Sequence, residues 1–268
     1  MICCGITGHT GNLGKKIQKI AKNFKFIKFK GDIRKTKDVE IWIKNNNFDL
    51  IIHFAAIVPI SKVNKKYNHA LNVNYVGTEN LTKMIIKYKP NLKWFFYSST
   101  SHVYSYSKKK IKENYQLNPI SKYGKTKLMA ENLIIKKFNN TNIKFCIGRI
   151  FSIIDNKNKE FFLKRLINKI KNNKKIIKLD NLNHCRDFIS TDQISKAILL
   201  LWNKKHRGII NIANGKKTNL KTIARIFAKK CKKKIIFNKN KQTSMIANIN
   251  KLKKYGWKSN NLNFIKYF

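Results

Sequence analysis

Acidic residues are scarce in this 268-residue chain, which has 12 Asp and Glu against 59 Lys and Arg and a formal net charge of +47. Such an excess first suggests a polyanion partner, such as nucleic acid or an anionic membrane. Arginine, the residue best suited to bidentate recognition of bases and phosphates, is scarce as well, because six of the 59 basic residues are arginine and 53 are lysine. We therefore interpret the charge as compositional bias and predict no specific nucleic-acid partner, with nonspecific polyanion binding as an alternative function.

Long apolar runs and paired cysteines are also missing. The longest run, IIHFAAIVPI at 51–60, is shorter than the ~18 apolar residues that indicate a membrane span. The first residues, MICCGITG, lack the basic region of a signal peptide. The five cysteines form no CxxC pair. We therefore predict a cytoplasmic protein with reduced thiols, no bound metal and no membrane partner.

Short apolar runs alternate with amphipathic stretches through the first 150 residues. This alternation predicts an α/β fold with a Rossmann-type doubly wound parallel sheet, because strands joined by helices form right-handed βαβ units. The predicted strands are 2–6, 25–29, 49–56, 92–98 and 143–150, and the predicted helices are 13–24, 36–46, 70–88, 121–137, 159–172 and 190–202.

The stretch TGHTGNLG places Gly8, Gly11 and Gly14 between the first predicted strand and the first helix. Glycines there let the backbone come close to a pyrophosphate, and the helix N-terminus offers free N–H groups and a partial positive charge. This position in the chain predicts a dinucleotide site rather than a simple tight turn.

The end of the second predicted strand should decide between NAD and NADP, since an acidic residue there holds a ribose diol and a basic one a 2′-phosphate. The strand closes as KFKGDIRK, with Lys28 and Lys30 ahead of Asp32. Asp32 could hold the ribose, lie against the adenine or cap the next helix. Lysine is so common in this chain that both cofactors stay open.

The chain is predicted to divide near residue 150, where the alternation loosens. We predict an NAD(P)-binding Rossmann domain over 1–150, completed by segments near 186–212. Residues 151–185 and 213–268 should form a smaller substrate-binding lobe.

The stretch SKYGKTK at 121–127 places Tyr123 four residues before Lys127, so both side chains should lie on one face of a helix. A nearby ammonium favours the tyrosinate and lowers the phenol pKa from about 10 toward neutral pH, which makes a usable general acid and base. The structural alternative is a surface tyrosine beside one of many lysines. The hydroxyl residues 98–100 favour the catalytic interpretation, because they close a predicted strand at the sheet edge where ligands of open α/β folds bind.

These motifs, taken in order, resemble the extended short-chain dehydrogenase/reductase family, and more narrowly its NAD(P)-dependent nucleotide-sugar epimerase/dehydratase branch. The resemblance implies NAD(P) as cofactor, a nucleotide-sugar substrate and a homodimer formed through helices that include the one bearing Tyr123. The matching segments are TGHTGNLG, HFAA at 53–56, NVNYVGTENL at 72–81, SSTSHVY at 98–104, PISKYGKTK at 119–127 and RDF at 186–188.

The resemblance also implies residue roles. Tyr123 would be the acid and base at a sugar hydroxyl or ketone, Lys127 would hold the nicotinamide ribose and tune Tyr123, and Thr100 would hydrogen-bond the same sugar oxygen. Asn74 would have a structural role, as a hydrogen bond that bridges the sheet. The implied cofactor-binding residues are Gly8, Thr10, Gly11, Asn12, Leu13, Asp32, Ile33, Phe54, Ala55, Ala56, Ser98, Tyr123 and Lys127. The implied substrate-binding residues are Thr100, Ser101, Tyr123, Ser152 and Arg186, and Arg186 would grip the diphosphate.

Two departures from the family pattern reduce the number of reactions that we expect. Dehydratases of this branch carry an acidic residue just after the catalytic threonine, whereas Ser101 and His102 follow Thr100 here. Ser152 stands where the branch usually has an asparagine, three residues after Arg149. We therefore predict a nucleotide-sugar epimerase or 4-keto-sugar reductase acting at sugar C4, and the stretch IIKLDNLNHCRDF at 176–188 favours GDP sugars. A catalytically degenerate dinucleotide-binding protein is the alternative.

Overall fold

The computed structural model describes residues 1–58, 60–155, 162–171, 175–180, 182–238 and 242–267. The chain divides into two compact units, each with its own hydrophobic core. The first consists of Met1–Ser105, Gln116–Ile150 and Asp192–Ile210, and the second of Tyr106–Tyr115, Phe151–Thr191 and Asn211–Phe268. The short segment 106–115 thus groups with the second unit, which no feature of the sequence indicated.

Most strands of the described chain come close to the bounds that the apolar runs predict. The third is an exception: it ends at His53, before the predicted residues 54–56, which lie in the loop that follows it. The strands are β1 Ile2–Thr7, β2 Phe24–Lys28, β3 Leu50–His53, β4 Trp94–Thr100, β5 Lys144–Ile150, β6 Ser152–Ile154, β7 Ile176–Leu179, β8 His184–Arg186, β9 Phe188–Ser190, β10 Gly208–Ile212, β11 Thr218–Asn219, β12 Lys234–Phe237 and β13 Thr243–Met245.

Helices follow the strands as the alternation predicts. The predicted helix over 70–88 is a composite, because a π-helical turn at Asn72–Val76 joins two α-helices. The ends of the predicted helix over 159–172 lie outside the described residues. The α-helices are α1 Asn12–Ile20, α2 Thr36–Lys44, α3 Ile60–Lys65, α4 Tyr67–Leu71, α5 Gly77–Tyr88, α6 Lys122–Phe138, α7 Phe162–Lys171, α8 Thr191–Asn203, α9 Leu220–Lys230 and α10 Asn250–Lys253. Within the described ranges, none of the helices has the length and apolar character needed to cross a membrane.

The main sheet has six strands in the order β10-β5-β4-β3-β1-β2, so the predicted doubly wound architecture is confirmed. The pairs that β1 forms with β2 and β3, and that β4 forms with β3 and β5, are parallel. The strand order reverses between β1 and β3. In open α/β sheets the crevice beyond the carboxyl ends of the strands at such a reversal is the ligand site.

The core of the first unit explains why its central strands are continuously apolar. Residues 94–97 of β4 are fully buried, because helices cover the sheet on both faces. On one face Phe138 of α6 packs edge-on against Phe95, with ring centroids 5.2 Å apart. Such burial stabilises by about 25 cal/mol per Å² of apolar surface, and it holds the carboxyl ends of β1, β3 and β4 in fixed positions.

The second unit contains smaller sheets and a separate core. Strand β8 pairs with β11 and β13, β7 pairs with β12, and β6 pairs with β9. Helices α7 and α9 contribute to this core at helical spacing, with Leu166 and Ile170 from the first and Ile223 and Phe227 from the second.

Candidate active site

The glycine-rich loop after β1 packs tightly against the loop after β3. Gly8 has φ of +67°, and a Cβ added to it would lie 2.6 Å from the backbone nitrogen of Ala55. A Cβ on Gly14 would lie 2.4 Å from the carbonyl oxygen of Gly8. Both positions therefore exclude any other residue. The predicted neighbours Phe54 and Ala56 lie in the same loop after β3, beside Ala55.

Helix α1 starts at Asn12, directly after this loop, and the following residue is Leu13. Its N-cap residue Gly11 has no side chain to satisfy the first N–H groups. The Asn12 side-chain amide nitrogen is buried and has no hydrogen-bond partner among the described residues. Unpaired donors at a helix N-terminus suit an anionic group such as a pyrophosphate, so the loop fits the phosphates of a dinucleotide.

Replacing Gly8 by alanine should destabilise the protein by about 1–3 kcal/mol more than the same change at Gly256. Gly256 also has a positive φ, of +92°, but a Cβ there would meet nothing within 4 Å. Comparing the two variants therefore separates the destabilisation that comes from contact with neighbouring backbone from the destabilisation that comes from a positive φ. Urea denaturation of Gly8→Ala and Gly256→Ala measures the difference, and equal losses would show that the loops do not press together at Gly8.

A cavity of about 570 Å³ opens beside this loop, at the strand reversal. It is lined by residues 8–10, 29–34, 55, 69 and 73. The predicted cofactor residues Gly8, Thr10, Asp32, Ile33 and Ala55 thus line one cavity. Asp32 does not cap the next helix, since the N-cap of α2 is Lys35. Arg34 instead binds the Asp32 carboxylate, and this hydrogen bond is the main reason that the Asp32 pKa falls to about 2.

Helix α6 carries Tyr123 and Lys127 on one face, as the sequence predicts. Its N-cap residue is Ser121, whose hydroxyl accepts a hydrogen bond of 3.0 Å from the backbone nitrogen of Gly124. Gly124 also permits a close approach, because an added Cβ would lie 2.2 Å from the carbonyl oxygen of His102. The first turn of α6 therefore packs directly on the turn that follows β4.

The hydroxyl residues at the end of β4 lie in that turn. Thr100 is the last residue of β4 and is buried, and its side-chain oxygen accepts a 3.2 Å hydrogen bond from the backbone nitrogen of His102. Ser101 is also buried, while Ser98 is partly exposed. The ring of His102 lies edge-on to that of Tyr123, with centroids 6.2 Å apart. The structure thus brings the turn after Thr100 into contact with the first turn of α6, which carries Tyr123.

The pKa values of Tyr123 and Lys127 differ from those that the sequence predicts. The Lys127 ammonium is buried over the ring of Tyr97, with Nζ 4.0 Å from the ring centroid. Burial lowers the pKa of Lys127 to about 7, against an opposing effect of Glu131. Burial also raises the pKa of Tyr123, so the predicted lowering of the phenol pKa by Lys127 is wrong for this structure. The reason is that desolvation disfavours the charged form of each group.

One residue that sequence reasoning missed is Glu131, which continues the face of Tyr123 and Lys127 by one more turn of α6. It is fully buried and forms a fork with Arg149 of β5, with the shortest contact 2.7 Å from Nη2 to Oε2. Ser99 donates a short hydrogen bond to the same carboxylate, and the hydroxyl of Tyr104 lies 2.9 Å from Nη1 of Arg149. A glutamate four residues after Lys127, in a chain with 12 acidic residues, was the available signal.

Asn74 forms a hydrogen-bonded bridge, but between a loop and a helix and not within the sheet as predicted. Its side-chain oxygen accepts a 2.7 Å hydrogen bond from the backbone nitrogen of Ile57, and its amide donates to the hydroxyl of Thr126 at 3.0 Å. Asn74 is itself buried in the π-helical turn. This bridge connects the loop after β3 with α6.

The remaining predicted substrate residues, Ser152 and Arg186, belong to the second unit. Ser152 begins β6. Arg186 ends β8, and its guanidinium carbon lies 5.3 Å from the ring centroid of Tyr106. Its Nη1 is buried without a hydrogen-bond partner among the described residues. Asp187 accepts hydrogen bonds from backbone nitrogens, including that of Asn214, so its oxygens are engaged there.

Comparison with known proteins agrees with this fold. A family model described as GDP-mannose 4,6 dehydratase matches residues 5–260. The putative UDP-glucose 4-epimerase of Methanocaldococcus jannaschii is 27% identical over 263 residues, covering 94% of this chain and 82% of that protein.

Two solved structures are also similar. RMD from Pseudomonas aeruginosa, complexed with NADPH, is 18% identical with a TM-score of 0.87, and the match covers 98% of this chain and 95% of that one. The UDP-glucose 4-epimerase of Thermus thermophilus, complexed with NAD, is 15% identical with a TM-score of 0.84, covering 98% of this chain and 96% of that one. At these identities the two structures establish the shared fold alone.

Proposed function

The chain belongs to the extended short-chain dehydrogenase/reductase family of NAD(P)-dependent nucleotide-sugar epimerases and dehydratases, and on this premise we propose that it is an epimerase or a 4-keto-sugar reductase acting at sugar C4. One observation carries the proposal. Tyr123 and Lys127 share a face of α6 whose first turn packs on the turn after Thr100, at the carboxyl end of β4. This is the sheet edge at which ligands of open α/β folds bind.

Tyr123 is the proposed acid and base. Because burial raises its pKa, the phenol is protonated at neutral pH and can donate its proton to a ketone oxygen at C4. In the opposite direction the tyrosinate, the form that this donation leaves, receives the proton of a C4 hydroxyl. Thr100 would hydrogen-bond the same sugar oxygen and orient it toward Tyr123.

NAD(P) fits the glycine loop, and when bound it supplies the hydride donor or acceptor. Gly8, Gly11 and Asn12 would hold its pyrophosphate, since the loop excludes side chains and Asn12 presents an unpaired amide. Lys127 would hold the nicotinamide ribose. A pKa of about 7 leaves Lys127 partly protonated at neutral pH, so its nitrogen can both donate and accept a hydrogen bond. The two solved structures of this fold hold NADPH and NAD, which supports either form as the cofactor.

The choice of epimerisation or reduction over dehydration rests on the residues after Thr100. Dehydration needs a base that removes a carbon-bound proton, and Ser101 and His102 occupy the positions where the branch carries an acid. His102 packs its ring on Tyr123 and lies 3.5 Å from the hydroxyl of Ser121 through Nδ1, a position that favours a structural role.

The substrate diphosphate is proposed to bind Arg186 and Ser152. The buried, unpaired Nη1 of Arg186 supports this, because a buried guanidinium nitrogen without a partner is costly unless an anion binds it. A homodimer formed through α6 is a further prediction, which size-exclusion chromatography with light scattering would test.

A single-turnover assay tests the reaction. The purified protein is mixed with stoichiometric NADPH or NADH and a GDP-4-keto-6-deoxyhexose, and the absorbance of the reduced nicotinamide is followed. We expect that absorbance to fall with at least one cofactor, because Tyr123 can supply the proton that reduction requires. No change with either bound cofactor would exclude this reductase activity, and C4 epimerisation of UDP-hexoses would then be assayed with NAD.

A further inference from the structure

We propose that the cavity beside the glycine loop prefers NADP(H) to NAD(H), because it forms a subsite for the adenosine 2′-phosphate. The inference rests on the proposed function and concerns the same cofactor. The groups that would contact the phosphate are Lys30 and Arg34, from the segment after β2, together with His9 and His69, and all four line the cavity.

The carboxylate of Asp32 already accepts hydrogen bonds from Arg34. An NAD site needs a free carboxylate to accept hydrogen bonds from both ribose hydroxyls. Arg34 donates from Nε to both oxygens of Asp32, at 3.0 Å each, and from Nη2 to Oδ2 at 2.5 Å. The backbone nitrogen of Arg34 also donates to Oδ1, at 3.0 Å. Since four hydrogen bonds from one residue occupy this carboxylate, a ribose diol would have to displace Arg34.

Arg34 is held in place by the same contacts that occupy Asp32. Its Nη1 lies 3.2 Å from Nδ1 of His69. A guanidinium only donates hydrogen bonds, so Nδ1 of His69 is the acceptor in this contact, which assigns the ring N–H to Nε2. His69 therefore keeps an N–H donor, and Arg34 keeps unused N–H groups. Both side chains are exposed, so a phosphate can reach them.

An arginine is informative here in a way that a lysine is not. Lysine makes up 53 of the 59 basic residues, so Lys30 alone could reflect composition. Arginine occurs six times in the whole chain, and one of the six lines this cavity. Asp32 is the sole carboxylate among the lining residues, all of which are described, whereas Lys30 and Arg34 both contribute cationic side chains to the lining. A phosphate dianion is favoured in such a field over a neutral hydroxyl.

Titration of the whole protein with NADPH and NADH, followed by nicotinamide fluorescence at fixed ionic strength, tests the inference. Charge-assisted hydrogen bonds are worth enough for us to expect NADPH to bind ~10-fold to ~100-fold more tightly. The variant Lys30→Gln should weaken NADPH binding several-fold and leave NADH binding within about twofold. The variant Arg34→Gln should also weaken NADPH binding several-fold, but it should strengthen NADH binding, because it frees the Asp32 carboxylate. Lys37→Gln is the matched control, because Lys37 is an exposed residue of α2 outside the cavity lining and the change removes the same charge.

Each other outcome has a distinct meaning. NADH binding as tightly as NADPH would overturn the inference and leave the proposed function standing. An equal loss of NADPH affinity in Lys37→Gln would show that the preference comes from net charge, and this result would also overturn the inference. Asp32→Asn gives an independent check: if this variant loses NADH binding and keeps NADPH binding, Asp32 holds a ribose diol, and the inference that Arg34 occupies it is overturned. If neither nucleotide binds, the proposed function itself fails.

Discussion

Replacing Tyr123 by phenylalanine should lower the single-turnover rate by ~10²-fold to ~10⁴-fold and leave cofactor affinity unchanged within about twofold. The substitution removes one oxygen from a side chain that is already partly buried, so the packing of its ring against His102 is kept. What is lost is the proton that would go to the C4 oxygen. Lys127 cannot replace it, because its proposed partner is the nicotinamide ribose and not the C4 oxygen.

The matched control is Tyr67→Phe. Tyr67 begins α4, and its ring is covered by the ammonium of Lys122 at 5.5 Å, a contact that phenylalanine keeps. This variant should react at the rate of the unchanged protein. Rapid-mixing absorbance gives the rate, and fluorescence titration gives the affinity. A Tyr123→Phe protein that binds cofactor and keeps its full rate would show that the phenol is not the acid, and would favour the dinucleotide-binding alternative without catalysis.

Replacing Arg149 by methionine should reduce the free energy of unfolding by about 3–5 kcal/mol, because it leaves the carboxylate of Glu131 buried without the guanidinium that hydrogen-bonds to it. Glu131 and Arg149 expose 0% and 1% of their side chains. The loss in free energy of unfolding therefore comes from a charge that is fully desolvated. The Glu131→Leu/Arg149→Met double variant should recover most of the loss, since removing both charges removes the desolvation penalty.

An exposed ion pair provides the comparison. Lys93 and Asp49 lie 2.7 Å apart, but 64% of the Lys93 side chain is exposed, so Lys93→Met should cost no more than about 1 kcal/mol. Urea denaturation of the four proteins measures these differences. Similar losses for Arg149→Met and Lys93→Met would mean that the buried fork adds no more than a surface pair does, and that water reaches Glu131.

The buried fork also shows why the site could be predicted only in part. Tyr123 and Lys127 were found because a spacing of four residues on a helix is local information, and the helix is confirmed. Glu131 lies on the same face, yet its partner Arg149 is on another element, 18 residues away. A residue's partner in the tertiary structure is not visible from chain neighbours. The roles of Tyr123, Lys127 and Thr100 stay proposals.

Local sequence was enough to predict the alternation of strands and helices, the parallel sheet and the glycine loop, because each follows from short-range sterics and from apolar periodicity. The need for glycine at positions 8 and 14 could be predicted in this way, since no other residue fits so close to the backbone. The electrostatics of the site, by contrast, depended on the folded chain. Folding desolvated Lys127 and Tyr123, and this desolvation lowers the pKa of the first and raises the pKa of the second. Burial depends on which distant surfaces meet, and for that reason no local pattern could predict the charges at this site.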